Sequence, residues 1–377
     1  MFQRLKKLTK SILWPENHPT PPSPVMSEPP IDYPSPKDNW SESEQALLTE
    51  FQKSKPAALS IVPPDWRGVS SATSNLVSHL LPIDAHLDQS QMERTARFIY
   101  ECGCKKILFG GFAHAYADLV NTIHKKYPDI DIYAFWLSSF LQTNEDYAWH
   151  SFKLIDQLCR EGKIRKWGFA KKGMAEIISA TGVPAQFIMS YVRTIPTAPS
   201  TPLTGGPHLA IWALAPIWRK NPYAMLAAAS TIPGADVFVV GQDDRAREFS
   251  DYLNLSFRYQ QQPIDQDQMG TALAERHLNL YVTLSECSPM LPLESLGAGA
   301  PCLLGPVSHL FEDHPYLHSR LVVPYPDRSD VISKFISRGL EERDEIITAY
   351  REYAPEYNRR AIKSLTDFLE VDEGSNL

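Results

Sequence analysis

Short apolar runs alternate with amphipathic stretches along most of this chain. Ala57 to Val62 is a short apolar run, and Lys106 to Gly110, Asp131 to Trp136, Ile164 to Phe169 and Gln186 to Tyr191 are further short stretches that read as strands. Runs of that kind suit strands buried on both faces. Between them, Ser71 to Leu81, Met92 to Cys102, Ala113 to Lys125, Tyr147 to Glu161 and Lys172 to Thr181 place apolar residues three and four apart. That spacing predicts helices. Strands alternating with helices predict a parallel sheet covered on both sides. The turn Pro63-Pro64-Asp65-Trp66-Arg67-Gly68 joins the first strand to the first helix, the way a doubly wound sheet opens.

The rhythm breaks at Thr194 to Pro207, where four prolines and two glycines predict a linker. It then restarts. Strands are predicted at His208 to Leu214, Asp236 to Gly241, Leu255 to Tyr259, Leu278 to Leu284, Pro301 to Leu304 and Leu321 to Val323. Helices are predicted at Pro222 to Thr231, Asp243 to Leu253, Asp267 to Arg276, Pro292 to Gly299 and Ser329 to Arg338. Pro222 suits a first helical turn, where a missing N–H costs nothing. Glu341 to Val371 reads as one or two helices interrupted near Pro355. Its aromatic and apolar side chains could pack on their own domain or cross back to the first. At the other end, Ser41 to Lys53 is a predicted short helix capped by Ser41, after a proline-rich tether over residues 15 to 37. The expected organisation is an amino-terminal segment (1–55), a first domain (56–193), a linker (194–207), a second domain (208–340) and carboxy-terminal helices (341–377). The fold class is α/β: two doubly wound Rossmann-like domains facing across a cleft, with ligands at the carboxyl ends of the strands.

A length of 377 residues fits two such domains. The net charge of −7 argues against a nucleic-acid partner, which calls for a basic surplus. Cys102, Cys104, Cys159, Cys287 and Cys302 are odd in number and scattered. They lack zinc-site spacing and read as reduced thiols of a cytoplasmic protein. No run approaches the ~20 apolar residues of a membrane span. Met1 to Trp14 places Phe2, Leu5, Leu8 and Ile12 on one helical face and lysines largely elsewhere. It fits either a helix lying at the inner face of a membrane or a frayed basic terminus.

The stretch from Leu280 to Gly305 concentrates the candidate chemistry. It reads as a buried strand, a polar turn, a helix start and a second strand. Glu286 follows the strand, and Glu294 lies eight positions later inside the helix. Carboxylates bind sugar hydroxyls and helix-end amides bind a diphosphate, so the stretch suits a nucleotide sugar. Arg219 and Lys220 precede the helix at Pro222. Two cations there could clamp a diphosphate without a metal. An exposed basic turn would look the same. Asp265-x-Asp267 has metal-pair spacing but lies in a polar loop before a helix, so no metal is expected. Gly241 ends one strand and Tyr259 another, where both could flank a base. A dehydrogenase or epimerase would need G-x-G-x-x-G directly after a strand. The nearest string, Gly297-Ala298-Gly299, ends a helix.

Glu286, Glu294, Gly299, Pro301 and the run Cys302 to Leu304 match, in order and spacing, the Glu-x7-Glu signature. The stretch thus resembles the family 4 group of retaining GT-B glycosyltransferases. The resemblance implies transfer of a sugar, with retention, from a nucleoside diphosphate sugar to a glycan, lipid-linked or protein acceptor, with no cofactor beyond that co-substrate. It implies that Glu286 meets the donor sugar and Glu294 the ribose. The backbone at Ser288, Met290 and Leu291 would approach the sugar and phosphates. Lys220 and Arg219 would stabilise the leaving diphosphate. Gly68 resembles the family's glycine loop on the acceptor side. His114, at the turn Gly110-Gly111-Phe112-Ala113-His114, could face the reaction centre or be a structural residue at a helix start. Relatives have glycines at the positions of Cys287 and Pro289, and often a histidine near Leu137. Those departures leave room for a different reading, an inactive module of the same fold that binds a sugar nucleotide or a partner glycosyltransferase.

Overall fold

The structure, a computed structural model, describes residues 40–193, 204–213, 217–241, 244–260, 262, 264–372 and 374–377. The basic segment, the proline-rich tether and most of the expected linker lie outside the described residues. Residues 44–377 form one compact unit. Among the described residues, no helix is long and apolar enough to cross a membrane.

The unit holds two parallel sheets. The first runs through β1 (Leu59–Val62), β2 (Leu80–Pro82), β3 (Lys106–Phe109), β4 (Asp131–Trp136), β5 (Lys166–Phe169) and β6 (Ala185–Phe187), in the order β2-β1-β3-β4-β5-β6. Its crossover helices are α2 (Arg67–Leu76), α3 (Gln89–Glu101), α4 (Tyr116–Lys126), α5 (Asp146–Arg160) and α6 (Met174–Ser179), and α1 (Glu42–Ser54) precedes β1. The second sheet is β7 (His208–Trp212), β8 (Asp236–Val240), β9 (Phe257–Gln260), β10 (Leu278–Tyr281) and β11 (Cys302–Leu304), in the order β11-β10-β7-β8-β9. Around it lie α7 (Pro222–Ala229), α8 (Asp244–Tyr252), α9 (Gln266–Ala274), α10 (Leu291–Gly297), α11 (Pro315–Leu321) and α12 (Ser329–Glu341). The interior strands β1 and β10 are buried at every position, which is why their sequences are largely apolar, with only Ser60 and Asn279 polar.

Three elements differ from expectation. Ser71 to Leu81 is not one helix. Val77 takes an extended backbone at the end of α2, and Leu80–Pro82 adds an edge strand beside β1. A three-residue edge strand carries almost no periodicity, and an edge tolerates its proline. Leu321 to Val323 forms no full strand: Leu321 ends α11, and only Val322 bridges to Leu304. The terminal segment is a single helix, α13 (Arg343–Leu369), with Pro355 inside it. An interior proline removes a hydrogen bond at a cost of about 3 kcal/mol. Buried Tyr350, Tyr353 and Tyr357 flank the proline and offset that cost by packing.

Helix α13 touches both sheet systems. The Tyr350 hydroxyl donates to the Leu293 carbonyl (3.4 Å) and that of Tyr353 to Asp313 (2.8 Å) on the second. Tyr357 donates to the Ser190 carbonyl (2.7 Å) and Gln186 to that of Ser364 (3.0 Å), tying the helix to the first.

Two glycines shape the route around α10. Gly299 takes φ +89° as the chain leaves the helix. At Gly305, just after β11, an added Cβ would stand 2.1 Å from the Thr283 carbonyl oxygen. Gly305→Ala therefore forces backbone apart and should lower stability by about 1–3 kcal/mol, the usual cost of overpacking. Urea unfolding checks this. An unchanged midpoint would contradict the close approach.

Candidate functional site

The site begins with a strand that delivers a buried carboxylate. Glu286 follows β10 by a short turn and is only 8% exposed. A buried charge requires partners, and three converge on it, Tyr281 from the same strand and Lys220 and Arg219 from a distant turn. Lys220 Nζ donates to Glu286 Oε1 at 2.5 Å, and the Tyr281 hydroxyl donates to the same oxygen at 3.0 Å. Lys220 also donates to the Tyr281 oxygen at 2.7 Å, and Arg219 Nη1 lies 3.6 Å from Glu286 Oε1. Burial first, and the neighbouring carboxylate second, push the Tyr281 phenol well above its ordinary value. Tyr281 therefore stays neutral and remains a donor.

The cations are placed by the segment Trp218-Arg219-Lys220-Asn221-Pro222. Residues 218–220 form one 3-10 turn, and the Arg219 carbonyl accepts from the Leu284 amide at 2.8 Å. Asn221 then takes the left-handed conformation (φ 57°), which asparagine tolerates better than most residues. Its side chain donates to the carbonyls of Val282 (3.1 Å) and Pro326 (2.5 Å). Pro222 starts α7 directly afterwards. The turn is thereby fastened to the strand that carries Glu286.

Glu294 is set by the helix. In β10, Asn279 accepts from the Trp212 indole (2.7 Å) and donates to Ser295 Oγ (2.8 Å) on α10. This fixes the rotation of α10 and turns Glu294, one residue earlier, toward the cleft. Burial raises the Glu294 pKa, and a hydrogen bond with Gln266 partly opposes it. Ser288 is 4% exposed, and its hydroxyl has no partner among the described residues. An unsatisfied buried hydroxyl costs about 1–3 kcal/mol, a cost that a polar ligand would remove.

These residues line a cleft of about 750 Å³ between the two sheet systems. Glu286, Glu294, Lys220, Ser288, Met290 and Leu291 form its second-domain wall, and Gly68 stands on the opposite one. Arg219 sits behind Glu286 and reaches Glu145 of the first domain at 3.8 Å. Gly241 and Tyr259 do not line the cleft. Gly241 donates to Gln260 at the end of β8, and the Tyr259 ring packs under Arg247. Ile264, Asp265, Gln266 and Met269 line that end of the cleft instead. Asp267 lies on the first turn of α9. Among the described residues, no group of three or more acidic, histidine or cysteine side chains gathers to hold a metal. His114 does not reach the cleft either. It stacks on Tyr147 (4.1 Å between centroids) and its Nε2 lies 3.3 Å from the Tyr147 carbonyl.

The first domain grips the loop after β10 at three consecutive residues. The hydroxyls of Ser139 and Ser285 are 2.8 Å apart. Lys171 donates to the carbonyls of Glu286 (3.2 Å) and Val307. Burial holds its ammonium below the usual lysine range. Cys287 donates to the Leu137 carbonyl at 3.2 Å, and burial pushes its thiol up to about 11, so the donor proton stays on. Two of the positions where the sequence leaves the family pattern therefore touch each other. Tyr281, Lys171 and Ser139 were not singled out by sequence. Only Lys171 carried a usable signal, its place just past the end of a strand.

No family model matches the sequence, and no curated protein does. Solved structures match it over most of its length. HepE from Anabaena, in complex with UDP and glucose, aligns with a TM-score of 0.62 at 8% identity, covering 84% of this chain and 98% of that one. Sucrose-phosphate synthase from Thermosynechococcus elongatus gives 0.52 at 10%, over 83% and 94%. The apo form of the lipopolysaccharide outer core galactosyltransferase WaaB gives 0.54 at 12%, over 83% and 99%. These are GT-B glycosyltransferases, and the chain has the GT-B fold. At such low identity the likeness is one of fold.

Removing one partner of a buried ion pair strands the other. Lys220→Met should cost roughly 3 kcal/mol in urea unfolding. Adding Glu286→Gln to Lys220→Met should recover much of that loss. Additive losses in the double variant would contradict the pairing.

Proposed function

We propose that the cleft binds a nucleoside diphosphate sugar and that the protein transfers the sugar to a glycan, lipid-linked or protein acceptor. The observation that carries this reading is the buried set of Lys220, Tyr281 and Glu286, with Arg219 behind it, on the same wall as Glu294. A donor whose sugar hydroxyls meet Glu286 and whose diphosphate meets Lys220 satisfies both ends of the ion pair. Ribose hydroxyls would then meet Glu294, and Ser288 would gain the partner its hydroxyl lacks. Ile264, Gln266 and Met269 would face the base. The spacing of the two glutamates, which resembles the family 4 group, is what supports retention of configuration in this reading.

In the reaction, the bond between the anomeric carbon and the diphosphate oxygen breaks. The acceptor oxygen bonds to that carbon, and its proton leaves with the nucleoside diphosphate. Negative charge grows on the departing diphosphate, which Lys220 on the cleft wall would meet, with Arg219 adding its charge from behind Glu286. Preorganised cations at developing charge supply the largest share of many rate enhancements. The grip of Ser139, Lys171 and Leu137 on residues 285–287 holds the loop in place before the donor arrives. Gly68 leaves the facing wall open, since an added Cβ there would meet nothing within 4 Å.

Calorimetry with UDP tests the donor site. Wild-type protein should bind, and Glu294→Ala or Lys220→Ala should weaken binding at least tenfold. Wild-type affinity in both variants would overturn the assignment. UDP-glucose hydrolysis without acceptor then separates an enzyme from a binding module: binding with no turnover of any nucleotide sugar in a panel would favour the module. Gly68→Val should keep the unfolding free energy within about 0.5 kcal/mol of wild type and still reduce transfer, because its side chain fills the cleft alone.

A further inference from the structure

Exposed apolar side chains gather on one rim of the cleft, on both domains. The 3-10 turn Phe140–Asn144 starts at the cleft edge, because Leu137 lines the cleft and Ser139 bonds to Ser285 across it. Phe140 and Leu141 are exposed on that turn, and Trp149 is 47% exposed on the first turn of α5. Phe152 seats both rings, at 6.4 Å from Phe140 and 6.0 Å from Trp149, so the three form one continuous apolar surface. Lys153 lies over the Trp149 ring at 5.6 Å. The facing lip belongs to the second domain. Trp218 is 67% exposed, in the same 3-10 turn as Lys220, which lines the cleft. Tyr325 is exposed one residue before Pro326, whose carbonyl fastens Asn221 at the end of that turn. The two lips meet where Arg219 reaches Glu145 at 3.8 Å. Trp218 directly precedes Arg219, and the Trp149 amide bonds to the Glu145 carbonyl at 3.0 Å. Inside the rim, Trp66 and the serines at 70, 71 and 74 line one wall of the cleft, and Lys220 and Glu286 the other.

We propose that this rim docks on a lipid bilayer, and that the acceptor is lipid-linked and enters the cleft from that surface. The docking rests on the rim itself; the acceptor class rests on the glycosyl-transfer reading and deepens it. Tryptophan and tyrosine favour the boundary between hydrocarbon and water, since each has an apolar body and a polar tip. A lysine stem lies along such a surface while its ammonium stays among the headgroups, which is the arrangement of Lys153 over Trp149. A protein seated on both lips would close the opening between them. A bilayer presents its headgroups to that opening instead, so a sugar carried on a lipid passes the rim and reaches both walls. The amino-terminal sequence has a matching pattern. Phe2, Leu5, Leu8 and Ile12 recur three and four apart among Arg4, Lys6, Lys7 and Lys10, as in segments that lie at an anionic interface.

The test is co-sedimentation of the full chain with vesicles of phosphatidylcholine and phosphatidylglycerol. The wild-type protein should sediment with them. Phe140→Ser combined with Trp149→Ser, and separately Trp218→Ser on the other lip, should each lower the vesicle partition coefficient at least fivefold. Urea unfolding checks that these variants fold, and Leu141→Ser takes the place of the double variant if it does not. Calorimetric affinity for UDP should match wild type in the first-lip variants. No sedimentation of the wild-type protein would overturn the docking. Undiminished sedimentation of the variants would overturn it too, by assigning the binding to another part of the chain. Self-association of the wild-type protein in sedimentation velocity, lost in the same variants, would replace the bilayer with a second copy of the chain. Normal sedimentation without any UDP binding would instead sink the donor reading and the lipid-linked acceptor, and leave the docking standing.

Discussion

A carboxylate that is almost wholly buried is the constraint around which this cleft is organised. An ammonium, a phenol and a guanidinium converge on one oxygen of Glu286. Each of these partners has its own anchor. Tyr281 ends β10, while Lys220 and Arg219 sit on a turn that Asn221 fixes to Val282, just past the same strand. The charged set is therefore in place before any ligand enters. Such preorganisation is what electrostatic stabilisation of a leaving group requires.

The same loop joins the two halves of the molecule. Its residues 285 to 287 are held in turn by Ser139, Lys171 and Leu137 of the first domain. Helix α13 closes the far side by bonding to both sheet systems. One wall of the resulting cleft is charged and the other is aromatic and hydroxylated.

Much of the fold was legible in sequence because parallel strands are buried on both faces and leave unbroken apolar runs. The edge strand at Leu80 was not, since three residues have no usable period. The continuity of α13 through Pro355 was not either, because it depends on tyrosines packing against two distant surfaces. The two glutamates could be read from their spacing. Their partners could not: Tyr281 looks like any strand aromatic, and Lys171 meets the donor loop only in three dimensions. Gly241 and Tyr259 do end strands, as expected, but Ile264, Asp265, Gln266 and Met269 are the residues of that region that line the cleft.

The most direct test is a crystal structure of the full chain grown with UDP. The account predicts the diphosphate within hydrogen-bond reach of Lys220 and the ribose against Glu294, with the Trp66 wall left open. UDP bound elsewhere on the protein, or a nucleotide lying against Trp66 with Lys220 still engaged only by Glu286 and Tyr281, would contradict it.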